Sequence, residues 1–320
     1  MNSERYDYII IGAGPAGYEL AAGLSNDGKR VALVEKDSLG GTCLNRGCIP
    51  TKCLCATADA LTAAREAARF GVECQPPTLD FTAVRNRVDR VVATLADGIK
   101  TLLAKTDLYH GEARLLGNGC VDVNEQLIEG DRIVIATGSR PAVLPVPGAE
   151  YALTSDELLS IEQLPASAVI IGGGVIGIEF ASVLCAMGVD VTVVEYCKEI
   201  LPGFDSDVAK RLRTMLSRKG ISFVTGAEVT AIRDEGHEVC YKNRKGETSV
   251  WADMSVMAVG RRPVLPTGLD VAGVELTQRG FIKVDCDMLT SADGIYAIGD
   301  VNGLCMLAHA ASAQGRIVAG

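Results

Sequence analysis

Two cysteines, Cys43 and Cys48, stand in the run GGTCLNRGCIPTK, where their type and spacing admit thiol–disulfide chemistry. In a regular helix, residues five apart have Cα atoms roughly 8.7 Å apart, from about 1.5 Å rise and 3.6 residues per turn. A disulfide requires Cα atoms within about 7 Å, so a bridge here needs a distorted backbone. Gly40, Gly41 and Gly47 permit the distortion, and Pro50 is expected to keep a regular helix from running through the segment. The pair reads as a redox-active disulfide that opens and closes, set against the alternative of two small thiols buried in a core. Cys53 and Cys55 extend the series to C-x4-C-x4-C-x-C. That spacing matches neither the usual zinc pairs nor the ferredoxin runs, and no histidine lies near. Both are expected to pack the helix that follows, and no metal site is expected.

The rest of the chain bounds what can hold that pair. Its 320 residues suit two domains. Hydrophobic residues make up 48%, aromatics only 5%, and glycines number 35, a profile of α/β domains with alanine- and valine-rich packing and many tight turns. A formal charge of −9 argues against nucleic acid or an anionic membrane as the main partner. No uncharged apolar run of about 18 residues occurs, and MNSERYDYIIIG enters a strand directly, so neither a signal peptide nor a membrane span is expected. An odd count of 11 cysteines without a secretory signal fits a reducing compartment, where a disulfide is usually catalytic. A cytoplasmic location is expected.

An internal repeat organises the chain. Residues 7–35, DYIIIGAGPAGYELAAGLSNDGKRVALVE, and residues 168–195, AVIIGGGVIGIEFASVLCAMGVDVTVVE, share one plan. Each has an apolar strand, G-x-G-x-x-G, an alanine-containing helix, a glycine turn, a second strand and a terminal glutamate. Gly12, Gly14, Gly17 and Glu35 recur 160 residues later as Gly172, Gly174, Gly177 and Glu195. The first glycine makes the tight turn, the second lets a pyrophosphate approach the backbone, and the third lets the helix pack on its strand. N–H groups at the helix N-terminus then face the phosphates, and the glutamate can accept the ribose hydroxyls. One such motif alone is weak evidence, but here strand, helix, strand and acid fall in order twice. Near the end, GIYAIGDV reads as a buried strand ending in Asp300, an acid placed to bond a polyol such as a ribityl chain, or else an ordinary surface-turn aspartate.

Taken together, these residues resemble the flavoprotein disulfide reductases, the class I pyridine nucleotide–disulfide oxidoreductases. GGTCLNRGCIPTK is most similar to the dihydrolipoamide dehydrogenase version of the active-site motif. ATGSRP at 136–141, AVGRRP at 258–263 and MLAHAA after the GD motif extend the resemblance over essentially the whole chain. It implies an α/β fold of two Rossmann-like three-layer domains, the second inserted into the first. The FAD domain would span 1–145, with 266–320 returning to complete it, and the NAD domain 146–265. Gly12, Gly14, Gly17, Glu35, Gly41, Thr42, Thr137, Gly138, Asp300 and the backbone of Gly111 or Ala113 would hold FAD. Met306, Leu307, Ala308 and His309 would present a helix N-terminus to the flavin, with Lys52 beside the ring. Gly172, Gly174, Val175, Ile176, Gly177, Glu195, Val229 and Gly260 would hold NAD. Glu195 would repel a 2′-phosphate, and residues 196–200 offer one lysine and no arginine, so NAD is expected over NADP.

The implied reaction oxidises a dihydrolipoyl dithiol, free or on a lipoyl domain of a multienzyme complex. Cys43 would exchange with substrate and Cys48 would face the flavin. Lys52 would pair with Glu179, and with the local helix N-terminus would favour the thiolate. The family also carries a C-terminal interface domain, which supplies the homodimer contact and a His–Glu acid–base pair. This sequence stops at Gly320, and His110, His237 and His309 lie outside such a motif. A weakened dimer and impaired dithiol turnover are therefore expected, with no base assigned. The alternatives at this point are another disulfide or mercuric-ion reductase of the superfamily, or a non-catalytic flavin-binding module.

Overall fold

The computed structural model describes residues 4–320. The chain divides into two units that interleave along the sequence. The first takes the residues up to Cys48, then Val91–Arg140 and Arg261–Gly320, and the second takes Ile49–Arg90 and Pro141–Gly260. The divisions at 140/141 and 260/261 lie five residues before the boundaries at 145 and 265 expected from the sequence. The segment 49–90 groups with the second unit, although it comes directly after the cysteine motif.

The first unit is built on strand Glu4–Ile11, whose ERYDYIII sequence becomes continuously apolar where both faces are covered. It runs parallel to Val31–Glu35 on one side and to Gln126–Ile135 on the other, with Ile11 opposite Val34 and Ile135. Asp107–His110 and Ile295–Ala297 extend the parallel set outward. Because these strands are parallel, the loops after Ile11, Glu35, His110, Ile135 and Ala297 all leave at one edge, the place where α/β sheets bind ligands. Ala113–Gly117 and Cys120–Val123 add an antiparallel meander to the first half of Gln126–Ile135. Ile9 and Ile11 join Val121, Ile128, Leu269 and Ile282 in one core on that side. On the other face, helix Pro15–Asn26 packs on Ala308–Ala319. Small residues let the helices approach, and a Cβ on Gly315 would lie 3.5 Å from the Ala16 carbonyl oxygen.

The second unit repeats the arrangement. Ser167–Ile171 lies between Asp190–Glu195 and Met254–Met257, all parallel, with Ser222–Thr225 and Leu153–Thr154 at the edges. Ile10 pairs with Leu33 in the first unit and Ile170 with Val193 in the second, so the 160-residue offset extends to the strand register. Helix Val175–Ala186 comes after the first strand. A meander of Glu228–Arg233, Glu238–Asn243 and Gly246–Trp251 packs Val229, Ile232, Val239 and Tyr241 against Val169, Ile171, Val194 and Met257. None of the helices is long and apolar enough to cross a membrane, among the described residues.

Two local expectations need correction. Helix Cys48–Glu66 runs through Pro50, which occupies the first turn, where its missing N–H has no intrahelical partner to lose. The break falls instead at Gly47, with φ −152° and ψ −114°, between Gly41–Arg46 and Cys48–Glu66. The strand before Asp300 ends at Ala297, and Asp300 sits in a 3-10 turn, Gly299–Asn302. Gly299, at φ +74°, turns the chain there.

Core burial of this kind predicts a contrast in stability. Ile9 is 0% exposed, and Ile9→Ala is expected to cost about 2–5 kcal/mol in urea unfolding. Phe70 is 80% exposed, and Phe70→Ala is expected to stay within about 0.5 kcal/mol. Equal effects would show that the central strand is not the packed element described.

Candidate active site

The cysteine segment is fixed to the first glycine loop through backbone atoms. Gly40 donates its N–H to the Ala13 carbonyl at 2.8 Å, and a Cβ on Gly41 would stand 2.7 Å from Gly14 Cα. Gly40 and Gly41 both take positive φ, +90° and +56°, which glycine adopts without strain. Helix Gly41–Arg46, carrying Thr42 and Cys43, therefore starts directly on the loop. Asn45 closes this short helix by donating to the carbonyls of Leu39 and Gly41 at 3.0 and 2.9 Å. At its far end Arg46 forms an ion pair with Asp37. Cys48 then opens the next helix, with Lys52 one turn further on. Tyr18, which no motif marks, lies on the fingerprint helix. Burial pushes its hydroxyl pKa up, and the neighbouring Glu19 and Cys43 add to the effect.

The two glycine loops have the same geometry. Gly12 and Gly172 turn at φ +106° and +107°, and a Cβ on either would strike the carbonyl of Ala136 or Ala258 at 2.4 Å. A Cβ on Gly17 or Gly177 would strike the first glycine's carbonyl at 1.9 or 2.1 Å. Around Gly14 and Gly174 a Cβ would meet nothing within 4 Å. Each of these two caps its helix with no side-chain hydrogen bond, and neither first turn contains an acid. Open space at the middle glycine, beside an uncapped helix N-terminus, suits a pyrophosphate. Pro15 begins one helix, whereas Val175 and Ile176 begin the other.

Glu35 and Glu195 do more than end their strands. Glu35 accepts the N–H groups of Ala13 at 2.7 Å and Asp37 at 2.8 Å. Glu195 accepts those of Gly173 and, at 2.7 Å, Cys197, again 160 residues on. Each carboxylate thus anchors its own glycine loop. With two oxygens and about four acceptor directions, it retains capacity for ribose hydroxyls.

Other predicted residues gather at the edge of the first sheet. Gly111 donates its N–H to the Glu35 carbonyl at 2.9 Å and leads into Ala113, which is buried. Thr137 donates its hydroxyl to the Val264 carbonyl at 2.6 Å, and Gly138, at φ +70°, returns the chain. Asp300 accepts the Ser139 hydroxyl at 2.6 Å, while Ser139 in turn accepts Arg261 Nε at 2.7 Å. Gln314, 7% exposed, accepts the Gly299 N–H at 2.7 Å and Asn302 Nδ2 at 3.0 Å, tying the turn of Asp300 to the last helix. Leu307 caps that helix, Ala308 begins it, and Met306 and His309 are exposed. Sequence reasoning did not mark Ser139, Arg261 and Gln314 as the residues that hold Asp300 and its turn. Gln314, a polar residue on the helix face whose other buried members are Ala311, Gly315 and Val318, was the available signal.

In the second unit, Lys52 Nζ lies 2.6 Å from Glu179 Oε1, a pairing that no sequence spacing reveals. Their side chains are 62% and 36% exposed, so the pair contributes little to stability by itself. Cys53 is buried, and burial pushes the Cys55 thiol pKa up, with the Glu179 carboxylate adding to the shift and Lys52 opposing it. Both fit packing rather than thiolate chemistry. Val229 is buried in the meander core, and Gly260, at φ +109°, ends the segment after Ala258.

Known proteins are similar to this chain over nearly its whole length. Residues 6–315 match the family model described as pyridine nucleotide-disulphide oxidoreductase. The dihydrolipoyl dehydrogenase of Bacillus subtilis (strain 168) is 41% identical over 337 residues, covering 98% of this chain and 70% of that protein. The dihydrolipoyl dehydrogenase of Acholeplasma laidlawii is 40% identical over 322 residues, covering 98% and 95%. Among solved structures, the Cu(II) complex of the HOCl-induced flavoprotein disulfide reductase RclA from Escherichia coli superposes with a TM-score of 0.86 at 33% identity. It covers 99% of this chain, which spans 70% of that one. The chain belongs to the pyridine nucleotide-disulphide oxidoreductase family and is an oxidoreductase. The family works with FAD and NAD(P), and the open middle glycines and loop-anchoring glutamates fit two such dinucleotides.

The loop geometry separates two glycine variants. Gly14→Ala is expected to leave the fold intact while weakening FAD binding about tenfold or more, about 1.4 kcal/mol. Gly17→Ala is expected to destabilise the protein itself by about 1–3 kcal/mol through overpacking. Circular dichroism melts and flavin titration distinguish them. Loss of the fold in Gly14→Ala would refute the open-space assignment.

Proposed function

We propose that this chain is an FAD- and NAD-dependent dihydrolipoyl dehydrogenase, with Cys43 and Cys48 as its redox pair. The supporting observation is the backbone joint of Gly40 and Gly41 with Ala13 and Gly14, which sets the cysteine helix against the dinucleotide loop. In the proposed reaction a substrate thiolate attacks Cys43 Sγ, and the Cys43–Cys48 bond breaks to leave Cys48 as thiolate. The second substrate thiol then displaces Cys43, so the substrate leaves as a disulfide and both cysteines are reduced. Two electrons have passed from substrate to protein; one proton is lost to solvent when the attacking thiolate forms, and the second substrate thiol gives its proton to the departing Cys43 Sγ while Cys48 stays a thiolate. Bound FAD supplies the two-electron chemistry that links this dithiol to NAD.

The protein's own residues have distinct duties in this reading. Gly12, Gly14, Gly17, Glu35, Gly41 and Thr42 hold and align the first dinucleotide, with Asp300 positioned by Ser139. Gly172, Gly174, Gly177 and Glu195 hold the second. Lys52 keeps a positive charge one turn from Cys48, and Glu179 fixes its direction. A leaving thiolate gains from such a cation and from the helix N-terminus that Cys48 opens. The substrate is a dihydrolipoyl group, free or on a lipoyl-bearing carrier protein, and the setting is the cytoplasm.

Two assays of the FAD-loaded protein test this. Reduction of NAD by dihydrolipoamide is expected, falling at least a hundredfold in Cys43→Ser or Cys48→Ser, about 2.7 kcal/mol or more in barrier. Activity with glutathione disulfide and NADPH but none with dihydrolipoamide would contradict the substrate assignment.

A further inference from the structure

We propose that the open edge of the second unit's sheet takes an extended acidic peptide of a partner protein, added as a further strand. Strand Ser222–Thr225 is the last of that sheet: it pairs with Asp190–Glu195 on one side and, among the described residues, with no strand on the other. Such an edge presents a row of unpaired N–H and C=O groups, a template for another chain. The backbone bonds made just after the strand turn back inward, Gly226 to the Cys197 carbonyl at 2.8 Å and Ala227 to the Glu195 carbonyl at 3.0 Å. A cleft of about 860 Å³ lies beside the strand, lined by Phe223, Val224 and Thr225 and, across from them, by Tyr241 and the hairpin that comes after it. Successive strand residues point to opposite faces. A cleft that touches three in a row therefore follows the edge and not one face. Four residues of strand offer about 13 Å of pairing length.

The charge of the cleft selects its occupant. Lys198, Arg244 and Lys245 line it, against the carboxylate of Glu247. Glu247 stands opposite Lys242 in the hairpin register, a position where opposite charges offset each other. The acids flanking Lys198 in sequence are engaged elsewhere: Glu199 is held by Arg213 at 2.7 and 3.1 Å, and Glu195 is buried on the Gly173 and Cys197 N–H groups. Arg244 and Lys245 are the two loop residues between the paired Asn243 and Gly246, and both are exposed. In a chain of net charge −9 this is a local reversal of sign. An added strand gains its affinity from main-chain hydrogen bonds and its selectivity from pockets for alternate side chains. Here acidic side chains would meet the three cations, and apolar ones Phe223, Val224 and Tyr241. A nucleic acid strand lacks the amide row that the edge can pair, and three cations neutralise few phosphates. Basic residues beside an edge also discourage pairing with the same edge of a second copy.

The inference is independent of the substrate of Cys43 and Cys48, because its test reads binding alone. Fluorescence anisotropy of the FAD-loaded protein compares three fluorescein-labelled peptides: SEVEVE, its basic counterpart SKVKVK, and SEVEVE with every backbone amide N-methylated, which keeps the charge and removes the donors. SEVEVE is expected to bind about tenfold tighter than SKVKVK, with the advantage shrinking as salt rises. The N-methylated form is expected to bind about fivefold more weakly than SEVEVE. The exposed-site variants R244Q/K245Q and Lys198→Gln are expected to remove most and part of the acidic advantage, with flavin content and thermal melt unchanged. Hydrogen exchange is expected to show residues 222–225 newly protected when SEVEVE is added. Absence of SEVEVE binding, equal affinity for the acidic and basic peptides, or protection that spares 222–225 would overturn the proposal. So would an N-methylated peptide that binds as tightly as SEVEVE, or single-stranded oligothymidylate that binds more tightly.

Discussion

Two loops can bring their Cα atoms into van der Waals contact only where no Cβ stands between them, and the site depends on one such contact. Gly41 approaches Gly14 so closely that a Cβ on Gly41 would lie 2.7 Å from Gly14 Cα. Gly40 adds its hydrogen bond to the Ala13 carbonyl, and Ala13 donates its own N–H to Glu35. The ring closes through Asp37, which donates to Glu35 and pairs with Arg46 at the other end of the cysteine helix. The first glycine loop is thus the element that places Cys43. A Cβ on Gly41 would force the cysteine helix and the first glycine loop apart, whereas one on Gly14 meets open space.

The same construction appears twice, with different consequences. In both units a glutamate anchors the glycine loop through the same two N–H positions. Beyond the glutamate the two copies diverge. After Glu35 the chain turns into the glycines that launch the cysteine helix. After Glu195 it turns toward Glu199, Arg213 and the basic hairpin. One loop therefore leads to the cysteine helix, and the other to a basic surface.

The repeat and its turning and close-packed glycines were legible because each arises from local backbone demands. A first glycine must turn, a third must admit a helix, and both demands are written at fixed spacing. The Lys52–Glu179 pair was legible only through the family resemblance and not from spacing, since 127 residues separate its members and only the fold joins them. Arg244 and Lys245 were hidden for the same reason. Pro50 misled because proline breaks a helix only in its interior, and here it falls in the first turn. The supports of Asp300, namely Ser139, Arg261 and Gln314, lie on three separated segments, so no single motif could expose them.

The most direct measurement is differential alkylation of the oxidised, FAD-loaded protein before and after anaerobic addition of NADH, read by mass spectrometry at each of the 11 cysteines. Cys43 and Cys48 are predicted to become alkylated only after NADH, with the labelling of the other nine unchanged. If NADH leaves both unlabelled, or exposes other cysteines instead, the pair is not the redox centre joined to the dinucleotide loops.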